Sequence, residues 1–298
     1  MLHSDLATGE VRRGAILAMA RKSWKENPTQ GKVAFRRSGT GRVFAVGAAM
    51  NVLIVFAHPE RHSFNGTMLD AATRTLATAG HTVVVSDLYR MGFASTLDRH
   101  DFLDVADPDR FNAQKEQSEA FRTGRFAPEL KAEMDKIDAC DLMIWQFPIY
   151  WFSVPAILKG WIDRVFAFRY AYGGGRWYEK GVFAGKKALI SMTTGAPRSS
   201  FVDGSRNGEM DMMLWPLLWG TLRFTGFEVL PPFVSYGAAV PGPDGNSRRA
   251  TILADYDMLL RRIETVPPLT FDTTTDFATD GSLIPGATAR HPGPPRLS

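Results

Sequence analysis

Cysteine is nearly missing from this sequence: Cys140 is the one example in 298 residues. A single thiol excludes an internal disulfide and any thiolate metal cluster, and it suits a reducing compartment, so a cytoplasmic location is expected. Placed between a predicted helix and a predicted strand, Cys140 reads as a packed small residue in preference to a reactive thiol. No run approaches the ~20 apolar residues that a membrane helix requires, so anchoring by a span is excluded. Histidine is also sparse, with none between His100 and His291. No His/Cys group has metal-ligand spacing, and Asp203, Asn207 and Asp211 fall short of a calcium loop, so no metal is expected. A phosphate loop and a convincing Ser-His-Asp arrangement are absent too.

Charge of one sign is lacking once the chain is divided. The formal net charge is +4, but residues 1–49 hold nine Lys/Arg against three Asp/Glu, a balance of +6, which leaves −2 for the rest. The body is therefore not basic, and nucleic acid is not an expected partner.

The same first 49 residues show no sustained strand or helix pattern. They read as disordered or as a mis-started extension, with Met50 as the natural start; a weaker alternative is an Arg-rich targeting segment. Gly39-Thr40-Gly41 and Gly47 resemble a dinucleotide loop only faintly, because they precede the first strand instead of following it.

From Asn51 the pattern is regular. Val52 to Phe56 is a continuous apolar run, as expected of a strand covered on both faces. Ser63 can cap a helix bearing Leu69, Ala72 and Leu76 on one face, which Gly80 stops. A strand at Thr82–Val85 and an irregular stretch from Tyr89 to Ala127 follow. A helix is predicted over 128–139, a buried strand over 142–147, and a helix capped at Ser153 carries Val154, Ile157, Leu158, Trp161, Ile162, Val165 and Phe166 at helical spacing. Further strands are predicted at 187–192 and 228–234, and helices at 210–225 and 248–264. The expected fold is a doubly wound five-stranded parallel sheet over residues 50–271, with helices on both faces and the ligand site beyond the carboxyl ends of the strands. Residues 272–298 lack periodicity and are expected to form a flexible tail, mobile or loosely docked.

Three loops at those carboxyl ends carry specific side chains. His58-Pro59-Glu60-Arg61-His62-Ser63-Phe64-Asn65 leads into a helix N-terminus, which suits a phosphate but also reads as ordinary capping. Pro148-Ile149-Tyr150-Trp151-Phe152 is an aromatic shelf that could border a flat ring or belong to the core. Thr193-Thr194-Gly195-Ala196 could hydrogen-bond a heterocycle's edge, or be routine turn chemistry. Three such loops at one edge favour a site.

The segments 53–60 with Ser63-Phe64-Asn65, Ser86-Asp87-Leu88-Tyr89, and Gln146-Phe147-Pro148 with Trp151 to Trp161 strongly resemble the NAD(P)H:quinone oxidoreductase (DT-diaphorase) family. Lys186-Lys187-Ala188 leading to Thr193-Thr194-Gly195, and Leu214-Trp215-Pro216, extend the resemblance over residues 51–271. It implies a flavodoxin-like fold with strand order 2-1-3-4-5, and a homodimer whose active site is shared between subunits. FAD is the implied cofactor, with FMN as the alternative, because the 89–127 segment matches FAD-binding members in length and in Asp107-Pro108 and Phe111. NAD(P)H would be the hydride donor, a quinone the acceptor, and flavin N5 the relay in a ping-pong exchange.

By position in that family, His58, Ser63, Phe64 and Asn65 would meet the diphosphate and ribityl chain. Pro148, Ile149, Trp151, Phe152, Thr193, Thr194 and Gly195 would border the isoalloxazine, and Asn112 would reach the adenine side of the partner's cofactor. Trp151 and Phe152 with Tyr170 and Tyr172 would line the substrate mouth, followed by a Gly173-Gly174-Gly175 run read as a lid in preference to a turn. The animal enzymes carry a Tyr and a His after the Thr-Thr-Gly block, where this chain has Phe201 and Asn207. Neither titrates near neutral pH, so dipoles, water, Arg198 or Arg206 would have to serve instead. The resemblance leaves open a nitro- or azoreductase with the same flavin, and a regulatory subunit of a potassium-efflux transporter. A flavodoxin-type electron carrier is disfavoured by the near-neutral body.

Overall fold

A computed structural model describes residues 48–287. The front segment and its glycines lie outside those residues. Six parallel-paired strands build the sheet: β1 (Asn51–Phe56), β2 (Thr82–Asp87), β3 (Leu142–Pro148), β4 (Lys187–Thr193), β5 (Glu228–Val229) and β6 (Phe233–Ser235). Their order is β2-β1-β3-β4-β5, with β6 also pairing with β4. The fifth predicted strand is thus two short ones, because Pro231 and Pro232 between them have no N–H to continue the ladder.

The helices are α1 (Phe64–Thr78), α2 (Ala113–Thr123), α3 (Pro128–Ala139), α4 (Ala156–Val165), α5 (Met210–Leu217) and α6 (Gly242–Leu260). Strand alternation divides the core between the two faces. Val52, Ile54 and Phe56 of β1 pack with Met68, Leu69, Leu76, Tyr256 and Leu260 of α1 and α6. Leu53 and Val55 face the other way, onto Leu130, Met134 and Ile137 of α3 and Leu158 and Trp161 of α4. The apolar runs are continuous because both sets are needed. Cys140 is buried, and burial pushes its thiol up to about 12.

Three stretches differ from the sequence expectation. α2 lies inside the stretch expected to be irregular; its face is weakly apolar, and Asn112 Oδ1 caps it by accepting from Lys115 N at 3.0 Å. α5 contains Pro216 and runs on as a π-helical turn, Leu218–Arg223, so the predicted 210–225 helix is not uniform. Residues 272–276, expected to be mobile or loosely docked, are held in place: Asp272 is buried, Thr273 forms a capping box with Asp276, and Thr274 N donates to Glu179 Oε1 at 3.2 Å. Such a segment is fixed by polar contacts that have no periodicity to read.

Candidate active site

The three loops converge because β1, β3 and β4 are adjacent and parallel, which brings their carboxyl ends to one edge. In the first loop, Glu60 N donates to His58 Nδ1 at 2.9 Å, and His62 N donates to Glu60 Oε1 at 2.7 Å. Ser63 caps α1, its Oγ accepting from Gly66 N at 3.2 Å. The loop wraps the helix start so closely that a Cβ on Gly66 would lie 1.8 Å from the Arg61 carbonyl oxygen. Arg61 holds this wrap by donating to Gly66 O at 2.9 Å and pairing with Asp70. The N-terminus of α1 is thereby left facing the sheet edge, where its N–H groups favour an anion.

Beside it is a cleft of about 540 Å³ lined by His62, Phe64, Thr67, Ala238, Asn246, Arg249, Ala250 and Leu253. Arg249 is fixed there by donating to Val240 O at 2.8 Å and to Asn246 Oδ1 at 2.5 Å. The sequence reading missed Arg249, because nothing local distinguishes it from any arginine on a helix.

The aromatic shelf has a distinctive backbone. Trp151 and Phe152 are consecutive non-glycine residues in the left-handed region, with φ of 50° and 58°. That conformation costs roughly 1–2 kcal/mol per residue and persists only where surroundings impose it. Here two reciprocal hydrogen bonds, Tyr150 N to Ser153 O and Ser153 N to Tyr150 O, both 3.0 Å, pinch the loop. Ser153 therefore closes the shelf and does not cap α4, whose N-cap is Pro155. The pinch turns Trp151 outward, leaving it 96% exposed, with Phe152 54% exposed.

Below the shelf, Ile149 N donates to Thr193 O at 2.9 Å, which ties the second loop to the third. The third is tied to the chain after β6 by Thr194 N to Ser235 O at 3.0 Å and Ala238 N to Thr194 O at 2.9 Å. Asn65 Nδ2 donates to Thr193 Oγ1 at 2.7 Å, joining the first loop to the third. Pro148, Ile149, Asn65, Thr193, Thr194 and Gly195 are thus brought together as expected.

Four further positions lie away from this edge within one subunit. Tyr170 is buried within the subunit, and its hydroxyl donates to Met134 O at 2.9 Å, on the side of α3. Burial, followed by Asp138, pushes that phenol far up. Tyr172 is half-buried in a separate cleft of about 400 Å³ with Gln114, Asp163, Thr221 and Phe224. Asn112 is exposed, and its side-chain oxygen is engaged in capping α2. The glycine run is a turn: all three residues have positive φ, and Arg176 Nε donates to Gly173 O at 3.2 Å.

Phe201 is buried and half-buried Asn207 lies on the same loop, where the tertiary structure adds a residue the sequence did not single out. The Tyr236 ring stands against Phe201. Burial raises the Tyr236 phenol, Arg198 opposes the rise, and Asp211 adds to it. Tyr236 follows β6 directly, at the carboxyl edge.

Comparison with known proteins agrees with this geometry. Residues 50–260 match the family of the flavodoxin-like fold. The chain is 40% identical over 233 residues to NAD(P)H dehydrogenase [quinone] 1 of Cavia porcellus, covering 78% of this chain and 84% of that protein. It is 39% identical over 223 residues to the human ribosyldihydronicotinamide dehydrogenase [quinone], covering 74% and 95%. A structure from Klebsiella pneumoniae assigned as a quinone reductase superposes with a TM-score of 0.74 at 35% identity, over 81% of this chain and 94% of that one. The NAD(P)H:quinone oxidoreductase of Methanothermobacter marburgensis gives 0.58 at 31% identity, over 73% and 98%. With its strand order, its converging loops and these likenesses over most of its length, the chain belongs to the NAD(P)H:quinone oxidoreductase family of flavodoxin-like enzymes.

Proposed function

We propose that this protein is a flavin-dependent NAD(P)H dehydrogenase (quinone), with FAD as its cofactor and a second copy of the chain completing its site. The observation that carries this reading is the outward-turned Trp151 on a left-handed loop, directly beside a helix N-terminus and a threonine edge. Such a shelf suits a planar conjugated ring, and the strained backbone is consistent with a functional constraint.

The residues present fit a flavin nucleotide. The α1 N-terminus with Ser63 and Phe64 would take a phosphate, and Asn65 and Thr193 would meet the chain and ring beyond it. FAD is favoured over FMN because the 540 Å³ cleft continues past that N-terminus and contains Arg249, a cation suited to a second phosphate with its adenosine. When bound, the flavin accepts a hydride from NAD(P)H and passes it to a quinone. Pro148, Ile149, Thr194 and Gly195 would orient the ring, while Trp151 and Phe152 would hold donor and acceptor in turn against it, making the transfer effectively intramolecular. The loop that carries Phe201 and Asn207 has no histidine of its own, since none lies between His100 and His291. Tyr236, Arg198 and Arg206 are groups on that side able to donate a proton or stabilise negative charge. The open shelf suits a partner subunit that would exclude water from the transfer.

The test is a visible spectrum of purified protein with added FAD or FMN, then anaerobic NADPH or NADH, then benzoquinone. Binding, bleaching and recolouring are expected, with FAD bound more tightly than FMN. A protein that binds flavin but is not bleached would instead favour a regulatory role.

A further inference from the structure

Beneath the three loops lies a line of buried polar side chains. Gln146 on β3 donates from Nε2 to Asn65 Oδ1 at 2.8 Å, and Asn65 Nδ2 donates to Thr193 Oγ1 at 2.7 Å. Behind Gln146, the Tyr256 hydroxyl on α6 donates to Gln146 Oε1 at 3.5 Å. All four residues are buried. The sense of the line is set from both ends of the Gln146 amide. Its nitrogen also faces Met68 Sδ at 3.9 Å, and a thioether can only accept. Its oxygen faces a phenol that burial pushes up to about 12, so that group keeps its proton, which is shared between Gln146 Oε1 and the neighbouring Ser191.

We propose that Tyr256, Gln146 and Asn65 form a one-way hydrogen-bond chain that commits Thr193 to donate its hydroxyl proton to an acceptor atom of the bound flavin. The inference rests on the flavin reading above. Thr193 Oγ1 already accepts from Asn65, and its own proton has no acceptor among the described residues, which leaves the ligand. Thr193 ends β4 beside Pro148 and Ser235, at the floor of the converging loops. Asn65 cannot reverse without setting its amide nitrogen against that of Gln146, and Gln146 cannot reverse without setting its oxygen against the Met68 thioether, which only accepts. Tyr256 is therefore a positioning residue acting through two others, although it belongs to α6, the helix packed beside α1.

A donor to a ring atom that gains electron density strengthens the binding of the reduced form relative to the oxidised one. Thr193→Val removes the donor. Gln146→Glu supplies an acceptor in place of the amide nitrogen, so Asn65 must turn and Thr193 must donate inward. Tyr256→Phe releases the Gln146 amide and serves if Gln146→Glu fails to fold. The measurement is the midpoint potential of the FAD-loaded protein and its variants, with thermal melts as the folding control. Thr193→Val, Gln146→Glu and Tyr256→Phe should each lower the potential. For the first two the expected change is about a tenfold loss of preference for the reduced form, equivalent to about 30 mV for a two-electron couple. Gln146→Glu combined with Thr193→Val should add nothing to Thr193→Val alone, and Thr193→Ser should keep the parent value. If Thr193→Val shifts the potential while folded Gln146→Glu or Tyr256→Phe does not, the chain of positioning is overturned and the flavin reading stands. If the parent protein takes up neither FAD nor FMN, the flavin reading fails, and the proposal with it.

Discussion

The rings of Phe201 and Tyr236 meet with centroids 5.9 Å apart and planes at 45°, which places a phenol behind a residue that cannot donate a hydrogen bond. Asn207, on the same loop, does not titrate near neutrality. Asn207→His would introduce a group with an ordinary pKa of about 6.5, so kcat/KM for quinone should gain an inflection between about pH 6 and 7 that the parent lacks. Stopped-flow reduction across that range checks it. Identical profiles would remove the loop from proton handling and leave Tyr236 and the solvent.

Trp151 occupies a left-handed conformation while almost fully exposed, so its side chain contributes little to folding. Trp151→Gly should raise the unfolding free energy by about 1 kcal/mol, by relieving a strain of roughly 1–2 kcal/mol less the added chain entropy. The same change should lower kcat/KM at least tenfold. Urea melts alongside steady-state kinetics separate the two effects, and a glycine variant that loses stability would show that the strain is not there.

Gly66 faces the Arg61 carbonyl at a distance that admits no Cβ. Gly66→Ala should force the first loop off the start of α1, destabilising the fold by about 1–3 kcal/mol and weakening FAD binding at least tenfold. Fluorescence titration of FAD provides the check. Unchanged affinity would mean that the loop does not meet the cofactor.

Arg164 on α4 is buried against Asp101, donating Nε to Oδ1 at 2.8 Å, and reaches Ala94 O at 2.8 Å. Burial nevertheless holds the Asp101 carboxyl above its usual value, with Arg164 opposing the rise. Ionised Asp101 is therefore a cost to the folded state: the cost is absent below the ordinary aspartate range and grows as pH rises through the raised value. Arg164→Met removes the opposing charge, so its destabilisation should be about 3–5 kcal/mol at pH 7 and smaller at pH 5, where Asp101 more readily takes a proton. Denaturant melts of parent and variant at both pH values test the sign, and a penalty larger at pH 5 would contradict it.

How much could be read from sequence depends on the range of the interactions. β1, β3 and β4 were legible because strands buried on both faces must be apolar throughout. Ser63 and Gly80 were legible because a cap is local: Ser63 accepts from Gly66, and Gly80 has the positive φ of a helix stop. The converging loops followed from parallel connectivity, since successive parallel strands present their carboxyl ends together.

The burial of Tyr170 was not legible because a tyrosine beside a glycine run looks the same in sequence whether it lies open or against Asp138. Tyr236 and Tyr256 were not singled out, since each acquires its role from a chain-distant partner, Phe201 and Gln146; Arg249 was not, because its bonds to Asn246 and Ala238 leave no mark that sets it apart from any helix arginine. The sequence by itself determined the layers, the parallel sheet and the edge at which a ligand must sit, because these follow from hydrophobic period and chain direction. Only the tertiary structure decided which polar groups face one another across that edge. A hydrogen bond or a buried charge depends on ångström distances between chain-distant atoms, and no local pattern of residues encodes them.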